Sequence, residues 1–333
     1  MKKILLIGLL SCITFAACRW SALDERTDSE DRIQIMRYDK LLEEYITSGS
    51  FSSFQKMNMQ YRAMTSILIE DILEIGTVGE DTLTKKLKVF YADTTLVQLR
   101  KDVAEKFKDL SPLEEELEEA FEYLKKEIPS TRIPQFYSQI TAFDESIILT
   151  DSLIGISLDK YMGQDYPTYK RFYYAYQRIS MIPERIAHDC IRIYLGNQYP
   201  FEYNHNYDYS DLMIYSGIIN YVTMKALGLK SPAKYLGYTN QQKEWCIKNE
   251  GNVWNYMVNQ HHLIATDPMI SRKYLLPAPF TAFFGEQAPQ LLGIWTGMRI
   301  VEAYRKNNPY TTIEQLLQTT NYGHLLEQAH YMK

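Results

Sequence analysis

The chain has 333 residues, 46% of them hydrophobic and 23% charged, a globular balance with length for one large domain or two small ones. Its net charge of −5 excludes the basic footprint of a nucleic-acid binder, so no nucleic acid is expected among its partners. The 27 tyrosines offer broad apolar faces with hydroxyls that tolerate wet positions, which suits an interface, a sugar site or plain structure.

Residues 1–17, MKKILLIGLLSCITFAA, place Lys2 and Lys3 before an apolar run and Ala16 and Ala17 immediately before Cys18. This is the layout of a secretory signal, and the run is too short for a comfortable membrane span. The string Phe15-Ala16-Ala17-Cys18 resembles a bacterial lipobox, with Phe15 where Leu is usual, and the resemblance implies that Cys18 is acylated and begins the mature protein. An ordinary cleaved signal, with Cys18 incidental, is the plainer alternative. Losing Lys2 and Lys3 leaves 34 basic against 41 acidic residues, so the mature chain stands near −7. Residues 18–31 are polar and charged and read as a tether. Cys190 and Cys246 are then the cysteines of the body, too few for a disulfide framework. A free core thiol is the favoured reading of Cys190, with pairing left open.

From residue 32 the pattern is helical: RIQIMRYDKLLEEYI, FQKMNMQYRAMTSILIEDILEIG, LTKKLKVFYA and a run from Leu96 to Leu110 repeat apolar residues at three- and four-residue steps. Ser111 as N-cap and Pro112 open LEEELEEAFEYLKKEI, with glutamates early and lysines late, as the helix dipole favours. Residues 134–160 carry β-branched and aromatic residues in two short runs around the turn-prone Asp144-Glu145-Ser146, which predicts a small hairpin or sheet. Helical patterns resume to the end. The expected fold is mainly α (α+β), with residues 32–333 as one domain made of N-terminal helices (32–130) and a second part (134–333).

Within that second part, residues 185–195 read RIAHDCIRIYL. His188 followed by Asp189 approaches the H-E-x-x-H zinc helix, but the residue four places on is Arg192. A guanidinium is always protonated and has no lone pair for a metal. Arg192 is therefore expected to fill the metal position and to pair with Asp189 three residues before it. Glu184 and His188 could join His205 in some other site, though nothing fixes that loop. His261 and His262 are adjacent and point apart on a helix. Gly217 lets a neighbouring helix approach. PAPF at 277–280 cannot continue a helix and sets Phe280 in a rigid turn, as core or as a partner contact. No Gly-x-Ser-x-Gly elbow occurs, and Cys190 has no evident histidine partner for nucleophilic work.

Landmarks from about residue 134 to 305 resemble, in order and spacing, the gliding-motility lipoprotein B (GldB) family of Bacteroidetes. They include Leu153-Ile154-Gly155-Ile156 with Asp159 and Tyr161, Met181-Ile182-Pro183 with Arg185-Ile186, and Met213-Ile214-Tyr215 with Gly217. Further on come Gly237-Tyr238-Thr239 with Trp245 and Glu250, Pro277-Ala278-Pro279-Phe280, and Gly293, Trp295, Gly297 and Arg299. The N-terminal helices agree only in kind, and Ser216 stands where the family usually has Glu. GldB-like chains in turn look like distant relatives of zinc peptidases, which implies a degenerate zincin-like architecture. On that comparison His188 is the first ligand position, Asp189 the base, Arg192 the second ligand and Ser216 the downstream carboxylate.

The resemblance implies a membrane-anchored, non-catalytic lipoprotein without metal or cofactor, held by lipid on Cys18 to the inner or outer membrane with its body periplasmic. Its expected partners are other cell-envelope proteins, with Tyr215, Phe280 and Trp295 as candidate interface residues. A divergent metallopeptidase or hydrolase, and a glycan- or peptide-binding lipoprotein, are the alternatives.

Overall fold

The computed structural model describes residues 32–203 and 207–332. Strands β1 (Ile35–Met36), β2 (Gln135–Gln139), β3 (Ile147–Leu149) and β4 (Leu153–Ser157) form one sheet in the order β1-β2-β4-β3. β1 and β4 both run parallel to β2, and only β3 and β4 are antiparallel. The expected sheet near 134–160 is present, but its hairpin turns at residues 150–152, where Thr150 Oγ1 accepts the Leu153 N–H at 3.1 Å. Asp144-Glu145-Ser146 belongs instead to a crossover. The buried Asp159 carboxylate accepts the N–H groups of Thr141 and Phe143 at 3.0 and 2.6 Å and holds Ala142 and Phe143 at φ 56° and 72°.

β1 is a second departure, since residues 32–37 had read as helix. Its edge is held from three directions. Glu114 accepts the Ile35 N–H at 2.8 Å, the Arg37 guanidinium grips both Asp39 oxygens at 2.9 and 2.7 Å, and the Ser138 hydroxyl donates to Asp39 at 2.6 Å. Helix α1 (Tyr38–Ser48) follows and ends at Gly49 with φ 70°. The long periodic run after it forms α-helical turns at Phe51–Gln55 and Arg62–Ser66, alternating with π-helical turns at Lys56–Gln60 and Ile67–Ile72. Then come α2 (Leu83–Phe90), α3 (Thr94–Lys106) with Asp93 accepting the first free N–H groups, and α4 (Ser111–Glu127). Ser111, expected as the cap, is the first helical residue; Asp109 accepts from its N–H and hydroxyl.

Strand periodicity splits the apolar residues between two cores. The parallel partners Phe136 and Ile154 join the larger core with Phe121 and Leu124 of α4, while Tyr137 enters the smaller one with Tyr38, Leu42, Leu68 and Leu87. Tyr137 lies across Gly155, where an added Cβ would stand 2.5 Å from its ring.

The larger core is built by α5 (Ile186–Gln198), α6 (Tyr209–Ala226), α7 (Asn240–Asn259), α8 (Pro268–Leu275), α9 (Leu292–Asn307) and α10 (Tyr322–Ala329). α6 is buried on nearly every side, as its almost unbroken apolar run requires, and it touches α5, α8, α9 and α10. It meets α9 backbone to backbone: a Cβ on Gly217 would lie 2.3 Å from the Gly297 carbonyl carbon, and one on Gly297 would lie 2.2 Å from the Met213 carbonyl oxygen. Neither atom belongs to a side chain that could swing away. Gly217→Ala and Gly297→Ala should therefore each destabilise the protein by about 1–3 kcal/mol through overpacking, outweighing the gain in helix propensity of about 1 kcal/mol. Urea denaturation of each variant against the parent measures this, and unchanged stability would contradict the close crossing.

Candidate functional site

Pro183 opens a single 3-10 turn that leads into α5. Ala187, Cys190, Ile191, Tyr194 and Leu195 recur at helical spacing and bury one face of α5 in the larger core, which leaves Asp189 and Arg192 on the side that meets α6. A cleft of about 560 Å³ opens there, and the sequence-derived residues His188, Asp189, Arg192 and Ser216 all line it. Arg185, Tyr215, Asn220 and Arg272 line it too.

His188 is only 4% exposed, and its Nδ1 lies 3.1 Å from Asp189 Oδ1. Its ring packs on Tyr235, with centroids 4.3 Å apart. Tyr235 in turn donates its hydroxyl to Asn220 at 2.7 Å, and Asn220 donates to the Ser216 carbonyl at 2.7 Å. The second Asp189 oxygen accepts the Tyr161 hydroxyl at 3.0 Å. His188 Nε2 is shut off from solvent and has no hydrogen-bond partner among the described residues. An imidazolium would need partners for both of its N–H groups, so the ring is neutral, with Nδ1–H donating to Asp189 and a bare lone pair on Nε2. Burial, opposed by the Asp189 hydrogen bond and aided by the Arg185 charge, accordingly pushes His188 down to about 4. Burial pushes Asp189 the other way, but the His188 hydrogen bond and the charges of Arg192 and Arg185 outweigh it and hold the carboxyl below its usual range.

The expected Arg192–Asp189 pair is a loose contact. Nε lies 3.9 Å from Oδ1, and the Arg192 side chain is 42% exposed. Among the described residues no three His, Cys, Asp or Glu side chains stand together as metal ligands. His205 and Cys18, with the signal and tether at 1–31, lie outside the described residues. Glu184 is exposed, His261 lies just beyond α7 at φ 56°, and His262 bonds the Tyr274 hydroxyl at 2.9 Å. Cys190 and Cys246 are free thiols, both buried, and burial raises both above the usual thiol range. Of the candidate interface residues, Tyr215 is half-buried and donates to the Tyr199 carbonyl at 3.1 Å, and Phe280 is half-buried. Trp295 is 5% exposed and stacks on Tyr238, so it is a core residue and offers no contact surface, the length of its ring being absorbed between α9 and the turn before α7.

A family model described as gliding motility protein GldB matches residues 21–333. The chain belongs to the GldB family. The match extends the likeness seen from 134 to 305 through the N-terminal helices, and it makes this chain a gliding-motility-related lipoprotein of the cell envelope. No curated protein and no solved structure matches it. No helix among the described residues is long and apolar enough to cross a membrane.

Around the GldB-family cleft, sequence reasoning missed Tyr161 as the partner of Asp189, Tyr235 as the platform under His188, and Arg272 on the facing wall. Tyr161 and Arg185 had appeared only as family landmarks. Tyr235 and Arg272 carry no local signal, because a Tyr in a short turn and an Arg in a last helical turn are ordinary.

Because His188 binds a proton less readily folded than unfolded, stability is lost as pH falls from about 6.5 towards 4. Asp159, raised to about 6 by burial, acts oppositely in that window. The comparison is therefore with His188→Gln: between pH 7 and 5 the parent should lose about 2 kcal/mol more than that variant. Urea unfolding at both pH values measures it, and equal pH dependence would refute a neutral buried ring. Arg192→Ala should change stability by no more than about 1 kcal/mol, given its exposed, loose contact.

Proposed function

We propose that this GldB-family lipoprotein is non-catalytic, is anchored through lipid on Cys18, and acts by binding other cell-envelope proteins with its body in the periplasm. The observation that carries the reading is the side-chain set of the cleft. Where a zinc helix needs a second imidazole it has the guanidinium of Arg192, and where it needs a downstream carboxylate it has Ser216. Among the described residues of the lining His188 alone offers a free nitrogen, and one ligand does not hold a catalytic metal. Hydrolysis by the Asp189–His188 pair lacks a bound water activator of that kind, and Asp189 is already engaged by Tyr161. Descent from a peptidase scaffold fits this arrangement and remains part of the proposal.

The full-length protein purified in detergent should contain no stoichiometric zinc by elemental analysis and show no chelator-sensitive peptidase activity. Arg192→His combined with Ser216→Glu should take up zinc while Arg192→His alone does not, since a catalytic site needs three protein ligands. Tight zinc in the parent, lost together with an activity in His188→Ala, would overturn the reading. Cys18→Ser should move the protein from the membrane to the soluble fraction, and unchanged fractionation would remove the anchor from the proposal.

A further inference from the structure

We propose that the cleft beside His188 receives the C-terminal end of a peptide chain. Its carboxylate would lie between Arg192 and Arg272, and its last side chain against the aliphatic wall. The proposal rests on the non-catalytic reading above and names the chemistry of the partner which that reading requires.

Charge is the first support. The chain is acidic, with a net charge of −5, yet among the described residues the cleft is lined by Arg185, Arg192 and Arg272 against the one carboxylate of Asp189. Both Asp189 oxygens are engaged, by Tyr161 and His188. Arg185 is committed inward, donating to the Tyr235 carbonyl at 2.7 Å. Arg192 and Arg272 keep their charges largely uncompensated, the first at 3.9 Å from Asp189 and the second exposed in the last turn of α8 without an ion pair among the described residues. Two such guanidinium groups over a half-enclosed cleft suit a carboxylate, which they can hold by paired hydrogen bonds.

The second support separates a peptide end from a simple anion. Phosphate and sulfate ions have no apolar part, whereas the last residue of a peptide carries its carboxylate beside a side chain that can be apolar. The wall opposite His188 is aliphatic, with Leu212, Leu275 and Ile294, which favours an apolar last side chain over a sugar ring. The cleft also continues into a second depression of about 500 Å³ that shares Ser180, Arg185, Leu236, Pro277 and Leu291 with it and runs towards Tyr176 and Ile179. Preceding residues of an extended chain have somewhere to lie.

The test is affinity selection on the immobilised full-length chain in detergent, using a random pentapeptide library with free carboxyl ends and the same library amidated. The free-acid library should be retained, enriched in apolar last residues, with the amidated one held at least tenfold more weakly. The double variant Arg192→Ala, Arg272→Ala should lose at least tenfold of that retention. Leu212→Trp, which fills the cleft without changing its charge, should lose as much, and circular dichroism checks that both variants fold. Equal retention of the two libraries, undiminished retention by either folded variant, preferential retention of polygalacturonate, or no retention by the folded parent would each overturn the proposal. Mass spectrometry of the same library separates the two readings. Cleaved peptides would overturn the non-catalytic reading whatever is retained, and intact peptides that are not retained would overturn this inference alone.

Discussion

The contact between Gly217 and Gly297 is the constraint on which the larger core and its cleft depend. Helices usually meet through interleaved side chains at 8–10 Å between axes; α6 and α9 meet through backbone, because neither glycine has room for even one methyl group. Gly293 lies four residues before Gly297 on the same face of α9, and a Cβ there would come within 2.9 Å of Tyr209, Leu275 and Tyr274 atoms. One glycine-bearing face of α9 thus draws in α6 and α8 together. Ser216 and Asn220 are carried to the cleft by α6, Ile294 by α9, and Arg272 and Leu275 by α8. The wall facing His188 is set by a close approach within one helical turn of Ser216, Asn220 and Ile294.

Much of the fold was legible because periodicity reports burial directly. The β-rich window at 134–160, the acidic helix α4 opened by Pro112 and the apolar helix α6 each follow from residue spacing and end signals, although Ser111 is not the cap of α4. What escaped was pairing at a distance. Ile35 and Met36 become a strand because Phe136 and Tyr137 present an open parallel edge and Glu114, 79 residues away, accepts the Ile35 N–H. No local pattern carries that information. The crossover after β2 was misread as a hairpin for a similar reason: Asp144-Glu145-Ser146 has turn chemistry, but the carboxylate that organises the segment is Asp159, which lies beyond the next two strands.

The site divides along the same line. His188, Asp189 and Arg192 share a helix, so their convergence on one side follows from spacing, and the likeness to a zinc helix supplied Ser216. Their interactions did not follow. Spacing suggested an Asp189–Arg192 pair, and in the folded chain Tyr161 and His188 take the two carboxylate oxygens first, leaving the arginine at the rim. A neutral imidazole and a tyrosine hydroxyl are cheap to bury beside a carboxylate, whereas a guanidinium retains more of its hydration at the mouth of the cleft. Exposure at 42% is the consequence, and it makes Arg192 a group that faces outward.

That displacement bears on what such a cleft can hold. With two imidazoles and two carboxylates it would carry excess negative charge and lone pairs turned inward, a setting for a dication. Arg192 in place of an imidazole and Ser216 in place of a carboxylate each move the balance in the positive direction, and Arg272 on the facing wall moves it further. Asp189, hydrogen-bonded to Tyr161 and His188, is one negative charge against the three arginines Arg185, Arg192 and Arg272 and offsets this only in part. The charge this cleft offers a ligand is thus opposite in sign to that of a zinc cleft. The imidazole left without a partner on Nε2 costs about 1–3 kcal/mol while it stays buried and unsatisfied. The groups that face outward are the two guanidinium groups of Arg192 and Arg272, over the aliphatic Leu212, Leu275 and Ile294, and these set the charge and the apolar surface that the cleft presents.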